Sequence, residues 1–520
     1  MTRNRRIVFN VVATYGRSLL SLICGIFTGR WVLSALGEVD YGLYGLVAGL
    51  TVFISFFNRL LASAVARFFA YEIGKASKNA TEYEGIEECR KWFNTALMTH
   101  TLVPVVLMAL GYPAGTWAIE NWLAIPVDRL LACHTVFKCV CVTCFIAMIE
   151  VPFSAMYTAK QYIAELTIYG VVATVFQTGF LYYAATHPDK WLVKYAIWTC
   201  CIACIPQILI ILRGLKIFPE CKINTNYLWN WPRVKQLGYY AGSLAVGGLG
   251  GIMRGQGIAI LVNKYFGASV NAAMSVANNV NGQSAALVSA MQGAFTPAIV
   301  QACGAGEDEL MRRMAFRACK FGCLLMLIFA LPLGMEIDNV MELWLVNPPR
   351  YAAGLCLCML ALVVVDKSAI GHMIAVNAKG KVAMYQFFLG GSLILTLPVA
   401  WLFVASGLGV YSIGLALLSM TAVCAIGRVW FARRLAGMSA VTWARKVVVP
   451  VGLTAIGACA ASCIPRFVQQ PSFLRVCETT FLAEVVLLPL AWLLVLDRDE
   501  KRYVRQKIVQ VSRNLCPRTI

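Results

Sequence analysis

The sequence predicts an all-α, polytopic membrane protein with about 14 transmembrane helices: two six-helix lobes and two additional C-terminal helices. Three observations carry this expectation. The 520 residues are 59% hydrophobic and only 13% charged, whereas soluble domains run near ~45–50% apolar and ~25% charged. The apolar runs are continuous rather than alternating, which argues against a transmembrane β-barrel. The charges between the runs also fall to one side in a regular order, as the positive-inside bias requires.

Taken along the chain, runs long enough to cross a bilayer are predicted at 8–36, 42–72, 93–112, 128–156, 165–185, 191–213, 237–264, 270–300, 314–335, 352–376, 382–405, 408–431, 443–464 and 475–496. With the N-terminus inside, about thirty Lys and Arg lie in the inside segments, including Lys75, Arg90, Lys160, Arg213, Lys222, Arg312, Lys379, Arg433 and the tail after Asp497. Seven lie outside: Arg129, Lys190, Lys194, Lys264, Arg350, Arg466 and Arg475. Adding or removing one helix would destroy this alternation. Both termini are therefore expected in the cytoplasm. The basic start, Met1 to Arg6, leads into an apolar run too long for a signal-peptide core, so the first helix is expected to stay as an uncleaved anchor. The formal net charge of +20 is explained by these loops, and no nucleic-acid partner is expected. The twenty cysteines lack paired spacing, and many lie in apolar runs where the thiol acts as a small hydrophobe. Cys201 and Cys204 have CxxC spacing but no second pair, so neither a metal site nor a cofactor is expected.

Domain boundaries follow: an N-terminal six-helix lobe at 1–213, a cytoplasmic linker at 214–236, a C-terminal six-helix lobe at 237–431, two additional helices at 432–497 and a basic cytoplasmic tail at 498–520. Shifting the sequence by 230 positions lays Leu36-Gly37 over Phe266-Gly267, and Gly74 over Gly304. Equal helix number and equal in/out sense imply two parallel repeats about an axis along the membrane normal. The glycine run Gly247, Gly248, Gly250, Gly251, Gly255 and Gly257 reads either as close helix packing or as a bending point. Two long helices joined by a short polar hairpin, Leu36 to Gly42, open the chain.

The candidate site residues are charges inside apolar runs. An arginine at the centre of a lipid-facing helix costs roughly 3 kcal/mol or more, so such residues face protein, water or a ligand. Arg17, Arg30, Arg59, Arg67, Arg254 and Lys367 are the candidates, with the acids Glu150, Asp366 and Glu484 against them; within the first two helical runs the acid is Glu72, at the last position of the second. Arg67 also reads as a residue reaching the inner interface, and Lys367 as a partner of Asp366. Asn278 and Asn281 belong to a polar run that reads as cavity wall or interhelical hydrogen bonding. Forked guanidinium donors suit phosphate oxygens, whereas a carrier of lipophilic cations needs buried acids. No phosphate-binding glycine loop, HExxH or Ser-His-Asp set appears, and no enzyme is expected.

The stretch Asn10 to Gly74, with Leu36-Gly37-Glu38-Val39-Asp40-Tyr41-Gly42-Leu43-Tyr44 and Ala66-Arg67-Phe68, resembles the opening of the polysaccharide transport family. That family includes the Wzx-type O-antigen flippases of the multidrug/oligosaccharidyl-lipid/polysaccharide (MOP) exporter superfamily. The resemblance implies two lobes around a central cavity. It also implies alternating access that moves an undecaprenyl-diphosphate-linked oligosaccharide across a bacterial inner membrane, with Arg17, Arg30, Arg59 and Arg254 at the diphosphate. The implied partners are the lipid-linked oligosaccharide and the bilayer, with a glycan polymerase or glycosyltransferases alongside. A multidrug and toxin extruder, a lipid II flippase and a non-transporting membrane protein of a glycan-assembly complex remain as alternatives.

Overall fold

The computed structural model describes residues 3–49, 51–79, 82–123, 125–187, 191–345, 348–502 and 505–506, and every regular element among them is helical. The helices are α1 (Arg3–Gly49), α2 (Val52–Asn79), α3 (Glu82–Trp117), α4 (Leu130–Ala159), α5 (Ile163–Thr186), α6 (Trp191–Ile217), α7 (Trp231–Gly304), α8 (Asp308–Met335), α9 (Ile337–Trp344), α10 (Ala352–Ser368), α11 (Ile370–Lys379), α12 (Ala383–Ala405) and α13 (Tyr411–Ala436). Two further helical stretches follow, Ala440–Val468 and Phe473–Val495. Ten helices among the described residues are long and apolar enough to cross a membrane. The count is twelve when the bent pairs Ser269–Ala286 with Met291–Gly304 and Ala352–Ser368 with Ile370–Lys379 each form one span. These fall one for one on twelve of the fourteen predicted crossings. The other two, 8–36 and 42–72, lie on α1 and α2, which are helical there and include residues outside the described set.

The predicted polar hairpin between the first two crossings is smaller than expected. Helix runs through most of it, and the break is the single residue Gly37 (φ 73°, ψ 170°). Gly267 breaks α7 in nearly the same conformation (φ 81°, ψ −176°). This region of backbone space is essentially open to glycine alone. Two such residues 230 positions apart give the weak sequence repeat a conformational counterpart.

The chain divides into two compact units. The first holds Met1–Val246, Ala290–Met311 and Ala378–Ala383; the second holds Gly247–Ser289, Arg312–Asn377 and Met384–Ile520. This partition cuts α7 rather than the 214–236 linker. In the first unit, Val32, Leu36, Leu43 and Val47 of α1 pack with Val136, Phe137 and Cys141 of α4 and Leu192 of α6. Asn10, 1% exposed, clamps α1 to the α4–α5 turn: its Nδ2 donates to Gln161 O (3.0 Å) and its Oδ1 accepts from Ala164 N (3.1 Å). In the second unit α7 stays helical through its glycine run. A Cβ at Gly247, Gly250 or Gly257 would meet Gln386, Gly390 or Leu397 of α12, so these glycines serve close packing.

The last two helices belong to the second unit. Val447, Val451 and Ala458 of one and Leu487, Ala491 and Val495 of the other bury against Cys319, Cys323 and Leu327 of α8. Buried ion pairs fix both ends. Lys320 Nζ, 1% exposed, reaches Glu500 Oε2 (2.7 Å) and Asp497 Oδ2 (2.9 Å), so the tail expected from residue 498 begins docked on α8. At the other end Glu336, between α8 and α9, accepts from Arg475 Nη2 (2.8 Å) and Nε (3.0 Å), Asn339 Nδ2 (3.2 Å) and Thr479 Oγ1 (3.1 Å). Burial works to raise the Glu336 carboxyl, but the Arg475 guanidinium with the Asn339 and Thr479 donors outweighs it and holds the carboxyl below its ordinary range. Its stabilisation is therefore present above the unfolded value of about 4.3 and is lost as pH falls through the lower folded value. Glu336→Gln is expected to cost about 3 kcal/mol near neutrality and to match wild type in strong acid, as thermal unfolding in detergent at the two pH values would show.

Candidate anion-binding residues

The bend between α10 and α11 builds a buried charge cluster in the second unit. The two helices meet at 44°, and the break leaves last-turn carbonyls of α10 without helical partners. Side chains from other helices take two of them: Arg428 Nη1 donates to Asp366 O (3.0 Å) and Trp443 Nε1 donates to Ser368 O (2.7 Å). Arg428 Nη1 also pairs with Asp366 Oδ1 (2.7 Å), and Lys367 Nζ pairs with Asp366 Oδ2 (2.9 Å). Both cations are buried, at 7% exposure each. Arg428 Nε is buried with no hydrogen-bond partner among the described residues. Arg254 of α7 is half-buried, makes no hydrogen bond or ion pair among the described residues, and lies within electrostatic range of Arg428, Asp366 and Cys424. Three cations thus surround one carboxylate. Such a cluster is expensive in hydrocarbon unless a further anion or water shares it.

None of the other candidates joins these ion pairs among the described residues. In the first unit Arg17 and Arg59 are exposed and make no ion pair among the described residues; the Arg17 guanidinium lies against Gly170, where a Cβ would overlap it. Arg67, half-buried, is committed to protein: Nη2 donates to Ala378 O (2.9 Å), and the guanidinium lies 4.8–5.4 Å from the ring centres of Phe68, Tyr71 and Tyr240. The side chain of Arg30 lies outside the described residues. In the second unit Asn278 is exposed and Asn281 half-buried, and neither makes a side-chain hydrogen bond among the described residues. Sequence reasoning missed Arg428. It sat near the predicted end of its span at 431, where an arginine reads as reaching for headgroups, but α13 runs on to Ala436.

No protein-family model matches the sequence, and no curated protein is significantly similar to it. Solved structures do match. An outward-facing multidrug-resistance MATE family transporter of the MOP superfamily superposes with a TM-score of 0.69 at 14% identity, covering 84% of this chain and 97% of that one. The chain has the MATE fold. A MOP superfamily transporter from Pyrococcus furiosus, described as having a binding pocket of reverse polarity that suggests a different function, gives 0.68 at 14% identity with the same coverage. A MATE in its bent conformation gives 0.65 at 16% identity, covering 84% of this chain and 96% of that one. On the MATE fold, the Arg254–Arg428–Lys367 cluster belongs to the second-half helices α7, α13 and α10.

Proposed function

We propose that this protein is a MOP-type exporter of an anionic cargo: an undecaprenyl-diphosphate-linked oligosaccharide carried across a bacterial inner membrane by alternating access. The observation that carries the reading is the excess of intramembrane cations. Arg428 and Lys367 pair with Asp366 and Arg254 lies within electrostatic range of it, with no second acid paired to these cations among the described residues, and Arg17 and Arg59 have no acidic partner among the described residues. Guanidinium forks match diphosphate oxygens. Pocket polarity is also the property on which the P. furiosus protein is described as differing. An inside-negative potential favours outward movement of an anion by roughly 2.3 kcal/mol per charge per 100 mV.

A second reading, a multidrug cation antiporter, is favoured by Glu150 of α4. This carboxylate is half-buried and has no ion-pair partner among the described residues. Proteoliposomes separate the two. Export of the lipid-diphosphate glycan, with no uptake of a lipophilic cation against a proton or sodium gradient, is expected. Cation transport abolished by Glu150→Gln, with no glycan movement, would reverse the assignment.

A further inference from the structure

Two short segments from the second half of the sequence, 290–311 and 378–383, are built into the first compact unit. One pair of their contacts obeys the internal repeat. Tyr71 and Gly74 of α2 correspond to Gln301 and Gly304 of α7 at the offset that relates Gly37 to Gly267. A Cβ at Gly74 would overlap the backbone oxygen of Gln301, and a Cβ at Gly304 would overlap that of Tyr71. The two backbones therefore touch at two reciprocal points, which only small residues allow. Two side-chain hydrogen bonds flank the crossing, though their residues are not related by that offset. Gln301 Nε2 donates to Ala159 O in the last turn of α4, and Arg67 Nη2 donates to Ala378 O in the last turn of α11. The turns that follow are matched, with Gln161 and Gly380 both at positive φ (61° and 79°).

These contacts are of a kind that releases cleanly. The bonds from Arg67 and Gln301 end on helix-terminal carbonyls, which water satisfies once the side chain leaves. The glycine crossing presents backbone to backbone at both points. We propose that this reciprocal crossing is a latch. It holds 290–311 and 378–383 on the first unit in the state seen here, and its release frees both segments together during the transport cycle. The latch rests on the transporter reading, and it assigns Arg67 to conformational control rather than to cargo.

Hydrogen–deuterium exchange of the full-length protein in detergent tests the latch without any substrate. Arg67→Ala is expected to speed exchange around 374–383 by about tenfold, the weight of one hydrogen bond from a charged donor. Gln301→Ala is expected to do the same around 155–163. Gly304→Ala, which forces the backbones apart, is expected to raise both segments. Gly293→Ala, on the same helix with open space beside it, leaves wild-type protection, as do α12 and α13 in every variant. Unchanged exchange in Arg67→Ala, Gln301→Ala and Gly304→Ala, or a uniform rise along the chain, overturns the proposal. The expected exchange pattern together with failed glycan movement in proteoliposomes supports the latch and counts against the proposed cargo alone.

Discussion

Asp366→Ala is expected to be the most destabilising single substitution in the second unit, by about 3–5 kcal/mol against the ~5–15 kcal/mol that holds a typical fold together. The carboxylate receives Arg428 on one oxygen and Lys367 on the other. Without it, two buried cations lose their counter-charge, although Arg428 keeps the backbone carbonyl of residue 366. The helix bend then lacks the pairing that ties α13 to α10. Thermal unfolding in detergent measures the loss. Asp366→Asn should fall nearly as far, because the amide keeps the shape and removes the charge. The triple change Asp366→Asn, Lys367→Gln, Arg428→Gln should recover much of the deficit, since removing a whole buried ionic set costs less than breaking it. If Asp366→Ala unfolds like wild type, the cations are already neutralised by something else.

The second large effect falls on transport. Arg59 and Arg254 lie one in each unit and neither makes an ion pair among the described residues, so reversing their charge removes no ion pair seen in the structure, although Glu at 254 sets a second carboxylate within range of Arg428. Arg59→Glu with Arg254→Glu is expected to abolish glycan export, at least a hundredfold by the weight of charge-assisted hydrogen bonds, ~1.5–3 kcal/mol each, while thermal stability changes little. The neutral pair Arg59→Gln with Arg254→Gln should lie between, because amides still donate without charge.

The architecture was legible because hydrocarbon demands long apolar runs and satisfied backbones, a constraint written in composition. Among the described residues ten predicted crossings meet a single apolar helix and two more meet a bent helix pair. The offset that laid Leu36-Gly37 over Phe266-Gly267 met two backbone breaks of the same shape. Connections were less legible. The hairpin predicted from Glu38, Asp40 and Gly42 is helix, because one glycine suffices to interrupt the chain and polar residues near a bilayer surface tolerate helix well. Charge pairing was legible only where partners are adjacent, as in Asp366-Lys367. The Arg428 partner comes from 62 residues away, and Arg67 reaches a carbonyl 311 residues away. Such contacts depend on helix bends and crossings, which a single sequence does not encode in spacing.

The most direct test is binding by the purified full-length chain of an undecaprenyl-diphosphate glycan and of the same glycan on an uncharged polyprenol. Wild type is expected to bind the diphosphate form at least tenfold more tightly, and Arg254→Gln to erase most of that preference while leaving affinity for the uncharged analogue unchanged. Equal affinity for the two lipids in wild type, or a preference that survives Arg254→Gln combined with Arg59→Gln, would contradict a cationic site for an anionic cargo.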